Sequence, residues 1–210
     1  MLVEMFLSQA CKKSPPAADY LADLRARPDL VVLDWHIDYW NLLSNGKYGR
    51  WEDPYSDASF SERQRIYNRR IRRKDMVFTP QAIIDGAKSV VGSRKDDVEN
   101  AIVDERAASA ADEIEIRTNG GKLAITVKGA ENAEVYLVSF HDWETTDITG
   151  GDNAGVTFRE PNIVTGVTPL GSLSAAQARF EAEAPGAGFG CAVIAQEPGQ
   201  GKVLAARYCP

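Results

Sequence analysis

The sequence predicts an α/β domain with a parallel strand pair over residues 1–110, followed by an all-β sandwich over residues 111–210. Two observations carry this reading. Apolar runs of strand length at 2–7 and 30–36 flank a helical pattern at 16–26, a strand–helix–strand unit in little sequence. From about Asp112 the texture changes to short segments that alternate apolar and polar residues between turn signals. At 210 residues and 44% hydrophobic content, the chain has room for one large domain or two small ones, with a real core.

The elements follow in order. Leu2-Val3-Glu4-Met5-Phe6-Leu7 reads as a buried strand, and Leu21 and Leu24 stand at helical spacing in the next segment. Leu30-Val31-Val32-Leu33-Asp34-Trp35-His36 is the second strand, and residues 37–58 form a long segment rich in Gly, Asn, Asp and rings. A helix opens at Ser59, where Glu62 three residues on has capping-box spacing and Phe60, Tyr67 and Ile71 supply the apolar stripe. Two short apolar runs around Asp85-Gly86 predict a hairpin, and a helix runs from Ser93 to about Ala108. In the second half, residues on either side of Asn119-Gly120-Gly121 predict another hairpin. Further strands are expected at 134–141, 155–160, 163–168, 178–184, 189–195 and 202–208. No repeat, low-complexity tract or long linker is evident, so the boundary is the composition shift at 108–112.

Composition narrows the function classes. The net charge of −6 favours neither nucleic acid nor an anionic membrane surface, and no apolar run reaches the roughly 20 residues of a membrane helix. The start of the chain has neither a basic n-region nor a small-residue cleavage site, so the expectation is a cytoplasmic protein, or a periplasmic or secreted one whose leader has been removed. Three cysteines are enough for one bridge and one free thiol.

Cys11 lies directly after the first strand and before a helix opened by Pro15 and Pro16. Unpaired N–H groups at a helix start favour an anion, and a thiolate so placed gains reactivity, with Lys12 and Lys13 adding positive charge. A buried structural cysteine is the competing reading. Thr79-Pro80 leads into the third strand, where a cis prolyl bond is a retained feature, and a βαβ–αββα order sets that loop beside Cys11.

The stretches VEMFLSQACKKSPPAADYLADL, DWHIDYWNLL, WEDPYSDASFSERQRIYNRR, FTPQAIIDG, VVGSRKDDVENAI, NIVTGVTPLG and GCAVIAQEPGQGKVLAAR together resemble an uncharacterised bacterial family, domain of unknown function 1223, of thioredoxin-like fold. The resemblance spans nearly the whole chain. It implies a thioredoxin-like first domain with the aromatic insertion 37–58, often behind a secretion signal, and a Cys-x-x-Cys motif where this chain has Cys11-Lys12-Lys13-Ser14. A single thiol cannot resolve its own mixed disulfide, so the expected activity is monothiol exchange with glutathione or with a protein or peptide client. Ser14 is then either the hydrogen-bond partner of the thiolate or simply the helix cap, and Thr79-Pro80 shapes the substrate groove. The alternative is a non-catalytic binding or scaffold protein. No cofactor other than possible glutathione and no metal is expected.

Several further residues are candidates. A hairpin centred at Gln200 sets Cys191 opposite Cys209, a possible disulfide, although one residue of register slip would turn their side chains to opposite faces. His36 and Asp38 project to one face at a strand's C-terminal end, where ligands collect in open α/β sheets, either as a base or relay or as an anchor for the loop. A metal set of His36, Asp38, His141 and Asp142 is disfavoured for want of ligand spacing. Trp35, Tyr39, Trp40, Tyr48, Trp51 and Tyr55 form either a groove wall for an extended peptide or a satellite core. The basic run Arg63 to Lys74 reads first as a solvated helix face, then as a partner for acids of the sandwich, and last as an anion site.

Overall fold

The computed structural model describes residues 1–43, 47–107, 113–129 and 132–210. The strands are β1 (Leu2–Leu7), β2 (Val31–His36), β3 (Gln81–Ile84), β4 (Lys88–Val91), β5 (Glu113–Asn119), β6 (Lys122–Lys128), β7 (Ala133–Asp147), β8 (Thr157–Leu173), β9 (Gln177–Glu183), β10 (Phe189–Gln196) and β11 (Val203–Tyr208). The helices are α1 (Pro15–Arg25), the single turn α2 (Trp40–Leu43), α3 (Ala58–Tyr67) and α4 (Lys95–Ala107), with a π turn over Asn68–Arg72.

Eight strands form one mixed sheet in the order β11-β10-β7-β8-β2-β1-β3-β4. β1 and β2 are parallel, with Leu2 opposite Val31, and are buried along their whole length because both faces are covered. On one face Val3, Met5, Leu7 and Val32 meet Leu21 and Leu24 of α1 and Val98 and Ile102 of α4. On the other, Phe6, Leu33 and Trp35 meet Phe60 and Tyr67 of α3. The remaining sheet, β5-β6-β9, packs Ile114, Leu123, Ile125 and Val127 against Val135, Val193 and Ala195 of the large sheet.

This arrangement corrects the predicted fold class. A thioredoxin-like α/β domain followed by a β-sandwich requires the sheet of the first half to close before the second half begins. Instead β7, β8, β10 and β11 continue the sheet of β1 to β4, and strand outweighs helix, 45% against 23%. The joint is β8, which pairs antiparallel with β7 along its length and parallel with β2 where Asp34 meets Ile163. The segments 155–160 and 163–168, expected as two strands, fuse into β8, which continues through Asn162 at φ 55°. The composition shift at 108–112 lies outside the described residues.

Local signals explain most element ends. Asp85 (φ 46°) and Gly86 (φ 65°) are the central residues of the turn between β3 and β4, with Ala87 N–H donating to the Ile84 carbonyl. Gly120 and Gly121 do the same between β5 and β6. The cap of α3 is Asp57, whose carboxylate accepts from Ser59 N, so the expected capping role of Ser59 passes to the acid two residues earlier.

Cys191 and Cys209 are joined by a disulfide, with Cα atoms 5.3 Å apart and Cys209 N–H donating to the Cys191 carbonyl. The pairing of Ala192 with Tyr208 sets this register, and the β-bulge at Ala195/Gln196 lies beyond it. The bridge closes a loop with a sequence separation of 18, so its reduction should lower stability by about 2–3 kcal/mol. Urea denaturation with and without dithiothreitol measures this; coincident curves would mean that the bridge contributes nothing.

Candidate functional site

Two neighbouring features occupy the C-terminal ends of β1 and β2. The first is Cys11, the free cysteine among the described residues. The Thr79-Pro80 bond is cis, and Cys11 Sγ lies 3.9 Å from the Thr79 carbonyl oxygen. Cys11 has 0% exposure. Its carbonyl accepts from Ser14 N at 2.9 Å and from Asn153 Nδ2 at 3.0 Å, so the chain around the sulfur is tied to α1 and to the turn before β8.

Ser14 does not serve the thiol. Its hydroxyl accepts from Ser8 N at 3.3 Å, and it makes no side-chain cap for α1. Lys12 and Lys13 are exposed and, with Tyr39, Trp40, Leu43, Val77, Phe78 and Thr79, line a groove of about 440 Å³. Trp40 Nε1 donates to Thr79 Oγ1 at 2.5 Å, and Tyr39 Oη donates to Gln64 Oε1 at 3.1 Å. Burial pushes the Tyr39 phenol above its ordinary range.

The other rings divide between roles. Trp35 is core, stacked on Phe6 and edge-on to Phe60, while Trp51 packs partly buried against the α1 side. Tyr48 is exposed. Within the insertion, residues 44–46 lie outside the described set.

The second feature is a buried polar cluster around His36. His36 and Asp34 share one face of β2, because residues two apart on a strand point the same way. His36 Nδ1 is 2.9 Å from Asp53 Oδ2, and its Nε2 is 3.3 Å from Asp34 Oδ2 and 3.7 Å from Glu160 Oε1. Gln9 links the set, its N–H donating to Asp53 Oδ2 and its Nε2 to Glu160 Oε2, both at 2.8 Å. Gln9, Asp34, His36, Asp53 and Glu160 are all buried.

The electrostatics follow from burial and crowding. Burial by itself would lower His36, but the carboxylates of Asp53, Asp34 and Glu160 raise it well above its ordinary value. Burial raises Asp34, and it lifts Glu160 to about 8, with neighbouring carboxylates adding to the effect. Asp53 is lowered: burial would raise it, but His36 and the N–H groups of Gln9 and Tyr55 outweigh that.

Of the residues singled out from the sequence, His36 and Asp38 part company. Asp38 turns to Ser61, whose Oγ donates to Asp38 Oδ1 at 2.5 Å and accepts from Asp38 N at 3.1 Å. His141 sits beside Glu144, Nδ1 to Oε1 at 3.0 Å, and Asp142 pairs with Arg25, so the set His36, Asp38, His141 and Asp142 does not converge. Tyr55 lies between the two histidines, its ring 5.6 Å from His36 and 5.8 Å from His141.

Sequence reasoning missed Asp34, Asp53, Glu160 and Gln9. The available signal was Asp34 itself, an acid inside the apolar run Val31-Val32-Leu33, where an unpaired charge is costly.

The fold and site define a sheet-rich protein built on one large mixed sheet with helices packed on it, with a closed polar cluster and an apolar groove at the ends of its central parallel strands. The chain belongs to the family described as "Protein of unknown function (DUF1223)", which matches residues 2–196. A crystal structure of a protein from Agrobacterium tumefaciens is similar over 99% of this chain and 92% of that one, at 23% identity and a TM-score of 0.83, and this likeness shows the fold. No curated protein matches the chain. Among the described residues, no helix is long and apolar enough to cross a membrane.

Proposed function

We propose that this protein is a binding protein that takes an extended peptide segment in the groove between Lys12-Lys13 and Val77-Thr79, with Cys11 closed beneath it. The observation that carries this reading is a contrast in exposure: Cys11 has 0% exposure, whereas Leu43 in the groove wall is 63% exposed. Apolar surface left open around a groove marks an interaction site. Lys12 and Lys13 at one rim fit a segment that carries an acidic group beside its apolar side chains.

Thiol exchange at Cys11 is the second reading, favoured by the sulfur's position 3.9 Å from Thr79 O. In it the Cys11 thiolate attacks a disulfide of glutathione or a client, one sulfur joins Cys11, and the other leaves as a thiolate. Such a step requires an accessible thiolate, and Cys11 is buried.

Iodoacetamide separates the two. On the binding reading, Cys11 in the native protein reacts at least about 100-fold more slowly than in the denatured chain, because reaction waits for local opening. Glutathione disulfide then leaves the native mass unchanged. Binding of a fluorescent extended peptide library should fall about tenfold or more in Leu43→Glu, which sets a charge in the groove wall. Rapid alkylation together with a glutathione adduct would overturn the binding reading in favour of exchange.

A further inference from the structure

The cluster around His36 gathers more carboxyl groups than its one imidazole balances when all of them are ionised. Three carboxylates, Asp34, Asp53 and Glu160, face one imidazole, and among the described residues no lysine or arginine pairs with any of them. Were all three ionised, even an imidazolium would leave two buried negative charges, an expensive state that protons or a bound cation must relieve. The hydrogen-bond pattern is also incomplete. Asp34 Oδ1, Glu160 Oε1 and Gln9 Oε1 are buried and have no hydrogen-bond partner. Gln9 is outside the acidic set, yet its amide is held against Glu160 through Nε2.

His36 supplies the orienting element. With Nδ1–H donating to Asp53 at 2.9 Å, the Nε2 lone pair faces the oxygens of Asp34 and Glu160. Three such atoms turned on one another need either protons or a bound cation between them. We propose that Asp34, His36 Nε2 and Glu160 form a binding site for a divalent cation of the zinc class, with Asp53 as the carboxylate that fixes the histidine tautomer. The three donor atoms lie within 4.8 Å of one another. Separations of 3.3 and 3.7 Å from Nε2 match ligands sharing one ion at bond lengths of about 2.0–2.2 Å, which in a tetrahedron stand about 3.3–3.6 Å apart. A carboxylate hydrogen-bonded to the far nitrogen of a ligating histidine is the usual support for such a site. A nitrogen and two carboxylate oxygens suit zinc, manganese, iron(II) or cobalt(II) rather than a soft ion.

The experiment uses the full chain, stripped with a chelator and then titrated separately with Zn²⁺ and Co²⁺. About one equivalent should bind per chain, with visible d–d absorption for Co²⁺ and a rise in thermal midpoint for Zn²⁺. Glu160→Gln and Asp34→Asn keep side-chain size and should weaken binding at least about 100-fold, while Asp53→Asn should weaken it about 10–100-fold. His141→Ala tests the other histidine and should bind as the wild type does. Circular dichroism checks that each variant is folded. Absence of Zn²⁺ and Co²⁺ binding in the wild type overturns the proposal, as does binding that survives Glu160→Gln and Asp34→Asn but fails in His141→Ala. The first result would mean that the cluster balances its charge with protons alone. None of these readouts involves the Cys11 groove, so the two proposals fail separately.

Discussion

Replacing Glu4 with alanine is expected to lower folding stability by about 3–5 kcal/mol, because it leaves a largely buried guanidinium without its counter-ion. Glu4 lies in the middle of β1 with 0% exposure. Arg63 Nε donates to Glu4 Oε1 at 2.7 Å, and Tyr67 Oη donates to Glu4 Oε2 at 2.5 Å. Arg63 also donates to Tyr67 Oη at 2.9 Å, as does Gln196 Nε2 at 2.8 Å. Four side chains from β1, α3 and β10 thus satisfy one another, and the guanidinium lies over the rings of Trp35 and Tyr67 at 4.8 and 5.2 Å. Burial pushes the Tyr67 hydroxyl well above its ordinary range, and Glu4 keeps Arg63 charged against the opposing effect of burial.

For a chain of this size, a loss of that order lowers the thermal midpoint by about 6–20 °C. The double variant Glu4→Met/Arg63→Met should recover most of the loss, since it removes both charges and restores apolar volume. Urea midpoints for the wild type, Glu4→Ala and the double variant form the test. A loss below about 1 kcal/mol in Glu4→Ala would show the pair to be solvated in solution.

Arg63 also shows where sequence reading stops. The run from Arg63 to Lys74 reads as a solvated face, and for Arg69, paired with Glu62 and Asp75 near the surface, that description suffices. Arg63 differs because its position faces β1, a relation fixed by packing rather than by charge pattern. The strands β1 and β2 were legible because burial on both faces leaves unbroken apolar runs, and the turns at Asp85-Gly86 and Asn119-Gly120 were legible because positive φ selects few residues. The pairing of β2 with β8 had no local signature. It depends on contacts between distant segments, and Glu160 beside Pro161 reads as surface until Asp34 is seen across from Ile163. His36 is visible as a candidate, but strand alternation points to Asp38, its neighbour further along the chain, whereas its partners lie at Asp34, Asp53 and Glu160.

Gly86→Ala is expected to cost about 2–5 kcal/mol, from about 1–2 for the left-handed backbone and about 1–3 for overlap. A Cβ at this position would lie 2.4 Å from the carbonyl oxygen of Gly201, a backbone atom with little freedom to retreat. The turn holding Gly86 is tied on both sides. Asp85 Oδ1 accepts from Leu2 N at 2.6 Å, and the Asp85 carbonyl accepts from Val203 N at 2.8 Å. Gly201 O also accepts from Gln196 Nε2 at 2.7 Å, so the β3–β4 turn, the β10–β11 turn and the Glu4 network form one assembly. Gly120→Ala isolates the two contributions, because Gly120 has a similar φ of 59° in a comparable hairpin turn with no atom within 4 Å of the added carbon. The Gly120 variant should lose only the conformational part, about 1–2 kcal/mol. Denaturant midpoints for both variants measure the difference. Equal losses would mean that the two turns do not meet in solution.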